Sequence, residues 1–321
     1  MKKLIFIVGG AGYIGSHMVK YAFKSGYDVV TLDNLSTGHR DSVKYGNFEF
    51  CDLGDTERLD LLFKKYCPDA VVHFGGVSIV SESMIDPHKY YINNVLGTLN
   101  LLRAMVKNKC LRIIFSSSAA IYGSPEYSPI DENHPKKPIN PYGKSKLMAE
   151  QIIEDFDRAF GLKNIIFRYF NAAGHDIDGE LIERHNPETH LLPLIMKAAK
   201  GESHSVDIYG TDYNTRDGTC IRDFVHVQDL CDSHLRGLEL IFRNGNDSVS
   251  NCFNIGSAIG FSVKEVISKV KNQTGKDFKV IFKPRRYGDP SELVASNIKA
   301  KKMLNFSPKY TKIEDIIKTL I

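Results

Sequence analysis

Short apolar runs alternate with amphipathic stretches along the first half of the chain. The stretches 59–65 and 90–106 place apolar residues at helical spacing. The runs between them have the length and composition of buried strands. This alternation predicts an α/β fold in which a doubly wound parallel sheet carries helices on both faces. The predicted strands are residues 4–8, 27–32, 48–53, 70–74, 112–117 and 164–170.

A glycine-rich turn follows the first predicted strand. Gly9, Gly12 and Gly15 are spaced G-x-x-G-x-x-G, and a helical stretch continues to about residue 25. Such glycines let the backbone approach a pyrophosphate, and the helix N-terminus offers it free N–H groups. The second strand ends in Asp33, close to the offset of about 20 residues expected for a ribose-binding acid. The sequence therefore predicts a Rossmann-type site for NAD, because a carboxylate there accepts a ribose hydroxyl and repels the extra phosphate of NADP.

A tyrosine and a lysine lie four residues apart at the start of another predicted helix. Asn140 and Pro141 are typical of an N-cap and a first helical residue, which places Tyr142 and Lys146 on one helix face. The spacing alone is also typical of a solvated helix face. Next to an ammonium group and near the positive end of the helix dipole, the pKa of a phenol falls. We therefore expect Tyr142 to be pushed toward ionisation.

The composition indicates a soluble enzyme without a nucleic-acid or membrane partner. The chain has 321 residues, 42% of them hydrophobic, and a net charge of +4 with acidic and basic residues interspersed. No apolar stretch approaches the roughly 20 residues of a membrane span. The six cysteines form no C-x-x-C pair and have no histidine at zinc-ligand spacing. We therefore expect reduced thiols, no metal site and a cytoplasmic location.

The regular alternation breaks near residue 171. We expect residues 1–170 to form the cofactor domain and residues 171–321 a smaller C-terminal substrate-binding lobe. Within that lobe, a helix over 229–242 and a strand over Asn251–Ile255 are expected to return to the first domain, in a segment near 225–256. Ligands of parallel sheets gather at the carboxyl ends of strands, where this sequence has polar or glycine-rich exits at residues 52, 74–76, 116–118 and 169–171.

Further motifs extend the pattern over nearly the whole chain. Together with the two described above, they resemble the extended short-chain dehydrogenase/reductase family, and within it the UDP-galactose 4-epimerases. The resemblance implies that hydride leaves carbon 4 of a UDP-hexose for NAD, that a 4-ketose forms, and that hydride returns to its opposite face. The motifs are residues 9–15, 33–35, 91–95, 115–123, 140–146, 168–171, 209–213, 222–227 and 285–289.

The resemblance also implies residue roles. Ser118, Tyr142 and Lys146 would be catalytic. Tyr142 and Lys146 would also contact the cofactor, and Ser118 the substrate. The other cofactor contacts would be Gly9, Gly12, Tyr13, Ile14, Gly15, Asp33, Asn34, Leu35, Ser36, Thr37, Gly38, Asp52, Leu53, Phe74, Gly75, Gly76, Val77, Ser78, Asn93 and Phe170. The other substrate contacts would be Asn171, His190, Leu191, Asp207, Ile208, Tyr209, Arg222, Arg286, Asp289 and Leu293.

Two positions bear on which reaction is expected. Ala119 and Ala120 stand where related sugar-nucleotide dehydratases carry an acidic pair, so no group is present to assist elimination. Leu293 occupies a gate position that is bulky in relatives restricted to glucose and galactose and small in those that admit N-acetylhexosamines. We expect interconversion of UDP-galactose and UDP-glucose, with UDP-N-acetylglucosamine or dual specificity as the alternative.

Two alternative functional classes and a dimeric assembly are also considered. A regulator that senses NAD(H) without chemistry would need no intact Ser118, Tyr142 and Lys146, and a net dehydrogenase would release NADH stoichiometrically. The resemblance implies a homodimer formed through the helices 90–106 and Pro141–Phe160, and a two-fold dimer is the commonest oligomer in general.

Overall fold

A parallel seven-stranded sheet forms the centre of the structure, a computed structural model that describes residues 2–243, 251–286 and 288–321. Its strands are β1 (Leu4–Val8), β2 (Asp28–Asp33), β3 (Asn47–Phe50), β4 (Ala70–His73), β5 (Arg112–Ser118), β6 (Lys163–Tyr169) and β10 (Asn251–Ile255). They lie in the order β3-β2-β1-β4-β5-β6-β10. This is the doubly wound arrangement, and the predicted Rossmann-type fold is confirmed.

Helices cover both faces of this sheet because its strands are apolar on both sides. In β1, Ile5 and Ile7 join one buried cluster and Phe6 and Val8 join the other. The first cluster lies under α1 (Tyr13–Lys24), α8 (Val227–Arg243) and α10 (Ile298–Leu304), and the second under α2 (Thr56–Tyr66), α5 (Gly97–Lys107) and α6 (Pro141–Phe160).

Shorter helical segments complete this part of the chain. The predicted helix 90–106 is two pieces: a π-helical turn, Tyr91–Leu96, runs into α5. The helices α3 (Val80–Ile85) and α4 (Pro87–Tyr90) precede that turn, and 3₁₀ segments span Arg40–Ser42 and Ala119–Tyr122. Asp86 caps the N-terminus of α4 and Pro87 begins that helix, which runs directly into the π-helical turn.

The remaining elements form a smaller lobe beside the carboxyl ends of the large sheet. Its strand β9 (Ile221–His226) pairs with β7 (Asn171–Ala173), β11 (Gly260–Ser262) and β13 (Glu292–Leu293). A separate parallel pair consists of β8 (Ser205–Tyr209) and β12 (Lys279–Lys283). The helices α7 (Leu191–Ala199), α9 (Val263–Thr274) and α11 (Ile313–Lys318) pack on the lobe's own apolar cluster.

The chain leaves this lobe twice to rejoin the large sheet. Strand β10 pairs with β6, and α8 packs against α1. Ala300 and Leu304 of α10 are also buried in the first cluster. No helix among the described residues has the length and apolar character needed to cross a bilayer.

Candidate active site

The strand order reverses between β1 and β4. At this point the glycine turn after β1 contacts the loop after β4. Gly9 has φ +76°, and a Cβ there would lie 2.6 Å from the backbone N of Gly75. A Cβ on Gly15 would lie 2.1 Å from the carbonyl oxygen of Gly9. Only glycine fits both positions, because the turn and the helix start are in backbone contact. Open α/β sheets bind ligands at this crevice.

A solvent-open cleft extends from the turn along the carboxyl ends of the strands; together with the open solvent at its mouth its space is about 820 Å³. Its polar and apolar lining, and its position where the strand order reverses, suit a dinucleotide. Ile92, Leu96 and Asn100 also line it, although the sequence analysis did not single them out. The predicted cofactor residues that line the cleft are Gly9, Gly12, Asp33, Asn34, Ser36, Thr37, Asp52, Leu53, Phe74, Gly75, Gly76, Val77 and Asn93.

Asp33 closes one end of the cleft and is held by the glycine turn. Its carboxylate accepts hydrogen bonds from the backbone N–H of Ala11 at 2.9 Å and of Leu35 at 2.8 Å. Burial raises the pKa of Asp33, while these two bonds lower it. Each carboxylate oxygen retains a lone pair for a ribose hydroxyl. Asn34 donates to Asp52 at 2.6 Å and fixes the neighbouring wall, so this end fits an adenosine ribose.

The other predicted cofactor residues surround the cleft or lie behind it. The hydroxyl of Tyr13 donates to the carbonyl of Gly174, which ties the phosphate turn to the smaller lobe. Ile14 and Leu35 pack on the first apolar cluster, and Phe170 is buried in a separate one. A Cβ on Gly38 would lie 2.8 Å from the backbone of Ala11. Ser78 lies in the loop that precedes α3.

The predicted catalytic residues come from β5 and α6. Ser118 ends β5, where its hydroxyl accepts from the N–H of Ala120 at 3.1 Å. Asn140 caps α6 by accepting from the N–H of Gly143 at 2.8 Å, and Pro141 begins the helix, as predicted. This local capping sets the start of α6, and Tyr142 in its first turn lies close enough to Ser118 for that side chain to lower the pKa of the phenol.

Lys146 is buried one turn further along α6 and reaches the floor of the cleft. Its ammonium group donates to the carbonyl of Ser116 at 2.9 Å. A Cβ on Gly76, which lines the cleft, would lie 3.9 Å from that nitrogen. Burial lowers the pKa of Lys146 to about 8, and the charge of Glu150 opposes the shift.

The pKa of Tyr142 moves opposite to the direction predicted from the sequence. Burial raises it, and the hydrogen bond with Ser118 lowers it. The sequence argument counted the neighbouring ammonium and the helix dipole but not the desolvation that the fold imposes. The protein's own groups thus keep Tyr142 in its phenol form at neutral pH.

A buried ion pair supports this corner of the site. The guanidinium of Arg168 donates to both carboxylate oxygens of Glu150, at 3.0 and 2.8 Å. Ser117, next to Ser118, donates to the same carboxylate at 2.5 Å. Glu150 lies one turn beyond Lys146 on α6, so the pair fixes α6 against β5 and β6.

Asn94 was quoted only as part of a motif, yet it joins the loop after β4 to α6. Its side-chain oxygen accepts from the N–H of Val77 at 2.8 Å, and its amide nitrogen donates to Ser145 at 2.9 Å. The side chain is buried. A polar residue in the middle of a predicted helix carries no local signal for such a brace.

The predicted substrate residues beyond β5 lie on the smaller lobe and are not among the residues that line the cleft. Arg222 donates to Asp289 at 2.6 Å. The guanidinium of Arg286 lies 3.8 Å from the ring centre of Tyr209, whose hydroxyl donates to Asp207 at 3.4 Å. Two arginines, each held by a partner, therefore occur on this lobe.

The other predicted substrate residues differ in how accessible their side chains are. The side chain of Ile208 is in the lobe's core, which leaves only its backbone for a ligand. Leu191 begins α7 and packs on the same core, and Asn171 begins β7. Leu293 pairs with Arg222 and packs beside Phe170. Tyr287, in the middle of the motif 285–289, lies outside the described residues.

Comparison with known proteins identifies the family. The family model for the NAD dependent epimerase/dehydratase family matches residues 5–256. The chain belongs to this family. It is 48% identical to UDP-glucose 4-epimerase of Lacticaseibacillus casei, over 98% of this chain and 95% of that protein.

Solved structures of similar proteins agree. The crystal structure of UDP-glucose 4-epimerase from Brucella ovis in complex with NAD has a TM-score of 0.95 and 44% identity, and covers 99% of this chain and 97% of that one. The UDP-Glc/GlcNAc 4-epimerase of Campylobacter jejuni has a TM-score of 0.85 and 42% identity, and covers 99% and 97%. The chain is therefore an NAD-dependent enzyme of the epimerase/dehydratase family.

One group of side chains in this epimerase/dehydratase family member was not predicted as a site. Glu183, His185, Glu188 and His190, called here the Glu–His cluster, place one ligand atom each within 4.8 Å of one another. Of these residues the sequence analysis selected only His190, as a substrate contact. Its search for metal ligands was built around cysteine spacing and so passed over a histidine–glutamate pattern.

Within the Glu–His cluster, carboxylates and imidazoles shift one another's pKa values. Burial raises the pKa of Glu183, but hydrogen bonds from His185 and His190 outweigh it and leave that pKa at about 2. Burial lowers the pKa of His190, whereas its bonds to Glu183 and Glu188 raise it to about 10. The carboxylates are therefore ionised at neutral pH.

Proposed function

We propose that this protein is a UDP-glucose 4-epimerase that interconverts UDP-galactose and UDP-glucose with NAD as its cofactor. The observation that carries the proposal is the position of Lys146, one helical turn after Tyr142: its ammonium nitrogen lies 3.9 Å from the place of a Cβ on Gly76, which lines the dinucleotide cleft. Tyr142 on the same helix face is close enough to Ser118 for that side chain to lower its pKa. The named activity of the relatives that match nearly the full chain supports it.

Each of the three catalytic residues has a role that its position supports. Tyr142 takes the proton of the sugar's 4-hydroxyl and later returns it. Ser118 hydrogen-bonds the reacting oxygen, and Lys146 binds the ribose next to the nicotinamide ring. NAD, when bound, supplies the chemistry of accepting hydride from carbon 4 and giving it back. Return to the opposite face of the 4-ketose inverts carbon 4.

The nucleotide half of the substrate requires a diphosphate clamp. Arg222 and Arg286 suit it, because a guanidinium donates several hydrogen bonds in one plane to phosphate oxygens. The 2.6 Å bond from Arg222 to Asp289 restricts the arginine before any ligand binds. We propose that Asp289 accepts from the uridine ribose and that Asn171 contacts the sugar.

The surroundings of Ser118 favour epimerisation over elimination. The 3₁₀ segment Ala119–Tyr122 follows directly, and Ala119 is buried. Neither Ala119 nor Ala120 can donate a proton to a departing hydroxyl. The oxidised sugar therefore meets no group that would expel its substituents, and the hydride return completes the cycle.

The test follows the sugar's anomeric proton signals while UDP-galactose is incubated with the purified protein and no added reductant. UDP-glucose should accumulate to a fixed ratio without net NADH. Tyr142→Phe keeps the ring and should reduce turnover by at least about 100-fold, the lower end of general acid–base contributions. Stoichiometric NADH would instead indicate a dehydrogenase, and unchanged turnover in Tyr142→Phe would refute the assigned base. Absence of conversion with NAD present would favour the NAD(H)-binding regulator.

A second substrate class is favoured by the gate position. Leu293 packs between the strand that carries Arg222 and the apolar cluster that contains Phe170 and Ala119. Leucine is smaller than tyrosine, and the Campylobacter jejuni relative is named for both UDP-Glc and UDP-GlcNAc. We propose additional turnover of UDP-N-acetylglucosamine. Leu293→Tyr should abolish it and preserve UDP-galactose conversion; absence of turnover by the native protein at saturating substrate would reject it.

We further propose a cytoplasmic homodimer in which α5 and α6 of two copies pack together. Met148, on α6, is 41% exposed, which leaves its apolar side chain available for such packing. Sedimentation should give twice the chain mass, and Met148→Glu should shift the equilibrium toward the monomer. A monomer at every concentration would refute the dimer.

A further inference from the structure

The Glu–His cluster lies in the segment that joins β7 to α7, with the spacing E-x-H-x-x-E-x-H. Both histidines direct their Nδ1 atoms at the two carboxylates. The nitrogen of His190 is 2.9 Å from Glu183 and 3.0 Å from Glu188. That of His185 is 3.1 Å from Glu183 and 3.9 Å from Glu188. Two nitrogens and three carboxylate oxygens thus lie close together, and one ligand atom from each residue lies within 4.8 Å of the other three.

These separations match a tetrahedral metal site. Histidine nitrogens and carboxylate oxygens bind Zn²⁺ at about 2.0–2.2 Å, which places the four ligand atoms of a tetrahedron about 3.3–3.6 Å apart. The four nitrogen–oxygen separations, 2.9 to 3.9 Å, lie around this range, with the one at 3.9 Å involving the second oxygen of Glu188. Imidazole and carboxylate are also ligand types that zinc accepts.

Burial and charge point the same way. The side chains of Glu183 and Glu188 are 1% and 4% exposed. Oε2 of Glu183 is buried and has no hydrogen-bond partner among the described residues. A buried carboxylate oxygen without a partner is costly, and neither imidazole of the cluster supplies a hydrogen bond to this one. Arg184, between them in the chain, instead donates to Asp41 at 3.0 Å.

The surroundings supply the orientation and access that a metal site needs. One oxygen of Glu188 accepts from the backbone N–H groups of Thr189 and His190, both at 2.8 Å, which fixes the carboxylate. The side chain of His190 is 44% exposed and leaves an entry path. The ring of His185 lies edge-on to Tyr13, with centroids 6.0 Å apart.

We propose that the Glu–His cluster binds one Zn²⁺ ion as a structural site. Four protein ligands make a closed site, which is the structural rather than the catalytic form of zinc coordination. Zinc binds neutral imidazole, so its binding releases any proton that the imidazoles hold in the empty cluster, and the ion then compensates both carboxylates. It fixes the segment between β7 and α7 against Tyr13, and so connects the smaller lobe to the phosphate turn.

The experiment uses the full chain without a histidine tag, treated with chelator and then dialysed against Zn²⁺. Elemental analysis should find about one zinc per chain, and added Zn²⁺ should raise the midpoint of thermal unfolding. Glu183→Gln and His185→Gln should each bind zinc more than about 100-fold more weakly, beyond the usual effect of losing an outer-shell partner. His204→Gln, a change at an exposed histidine outside the cluster, should bind like the native protein.

Co²⁺ provides a second readout that does not depend on the variants folding normally. In the native protein it should give the intense visible absorption of four-coordinate geometry, and Zn²⁺ should displace it. A native protein that retains no zinc and shows no thermal shift would overturn the proposal, leaving the cluster a hydrogen-bonded charge network. Native-like zinc affinity in a folded Glu183→Gln variant would overturn it as well.

Discussion

Removing the charge of Glu150 should destabilise the whole protein and disturb the catalytic corner. The side chains of Glu150 and Arg168 are each 1% exposed, and two hydrogen bonds join them. Glu150→Gln keeps the shape but leaves a guanidinium buried without its counter-charge. Breaking a buried pair on one side costs about 3–5 kcal/mol. That is a large fraction of the 5–15 kcal/mol by which native proteins are typically stable.

Equilibrium unfolding in urea measures this loss against a matched control. Glu239 and Arg243 form an ion pair at 3.2 Å on the exposed surface of α8, with 55% and 75% of their side chains accessible. Glu239→Gln should change the free energy of unfolding by less than about 0.5 kcal/mol. A double variant, Glu150→Met with Arg168→Met, should recover much of the loss because neither charge remains.

The same change should alter Lys146, to which we assign a catalytic role. The charge of Glu150 raises the pKa of Lys146 against the lowering effect of burial. Glu150→Gln should therefore shift the alkaline limb of the pH–rate profile to lower pH. A loss below about 1 kcal/mol, or a double variant as unstable as the single one, would refute the assigned role of the pair.

Three further changes test the cleft and its catalytic groups. Gly9→Ala introduces a Cβ 2.6 Å from Gly75 at a φ of +76°; it should weaken NAD binding in calorimetry, and native affinity would contradict the contact. Lys146→Met should abolish turnover yet raise the free energy of unfolding at pH 7 by up to about 3 kcal/mol, since burial lowers the lysine's pKa from 10.5 to about 8. Between pH of about 8 and 10.5 the unfolded chain carries a proton on Lys146 that the folded chain lacks, so the free energy of unfolding of the native protein rises with pH and approaches that of the variant. A difference between the two proteins in urea unfolding that does not change with pH would refute this. The phenolate absorbance of Tyr142, taken as the difference from Tyr142→Phe, should titrate at lower pH when NAD is added, and an unchanged midpoint would separate the tyrosine from the cofactor.

Local signals in the sequence were sufficient for the large sheet and the start of the catalytic helix. The bounds predicted for β1 and β10 match the structure. Asn140 and Pro141 fixed the start of α6 because capping involves only neighbouring residues. The glycine turn could be predicted for a similar reason. Its backbone packs so closely against neighbouring backbone that only glycine fits at Gly9 and Gly15.

The smaller lobe could not be predicted in this way, because its strands depend on distant partners. The strand β9 carries Asp223, which is fully buried, although an acid in a short run gives no strand signal. Its carboxylate accepts from the backbone N–H of Ser257 at 2.7 Å and of Ala295 at 3.1 Å. Burial outweighs the lowering effect of these bonds, so the pKa of Asp223 is raised to about 6. Only the assembled lobe provides such donors.

Desolvation accounts for the opposite directions of the two catalytic pKa shifts. Burial disfavours charge, so it raises the pKa of Tyr142 and lowers that of Lys146. Ionisation of the phenol must then be favoured by a charge that binds in the cleft, and the oxidised nicotinamide ring is cationic. The proton affinity of Tyr142 is expected to be low while that ring is oxidised and high once it is reduced. Tyr142 would therefore become a stronger base after it has taken the proton of the sugar's 4-hydroxyl, and it would keep that proton until hydride returns. Proton transfer and hydride transfer would then stay linked while one substrate molecule remains bound.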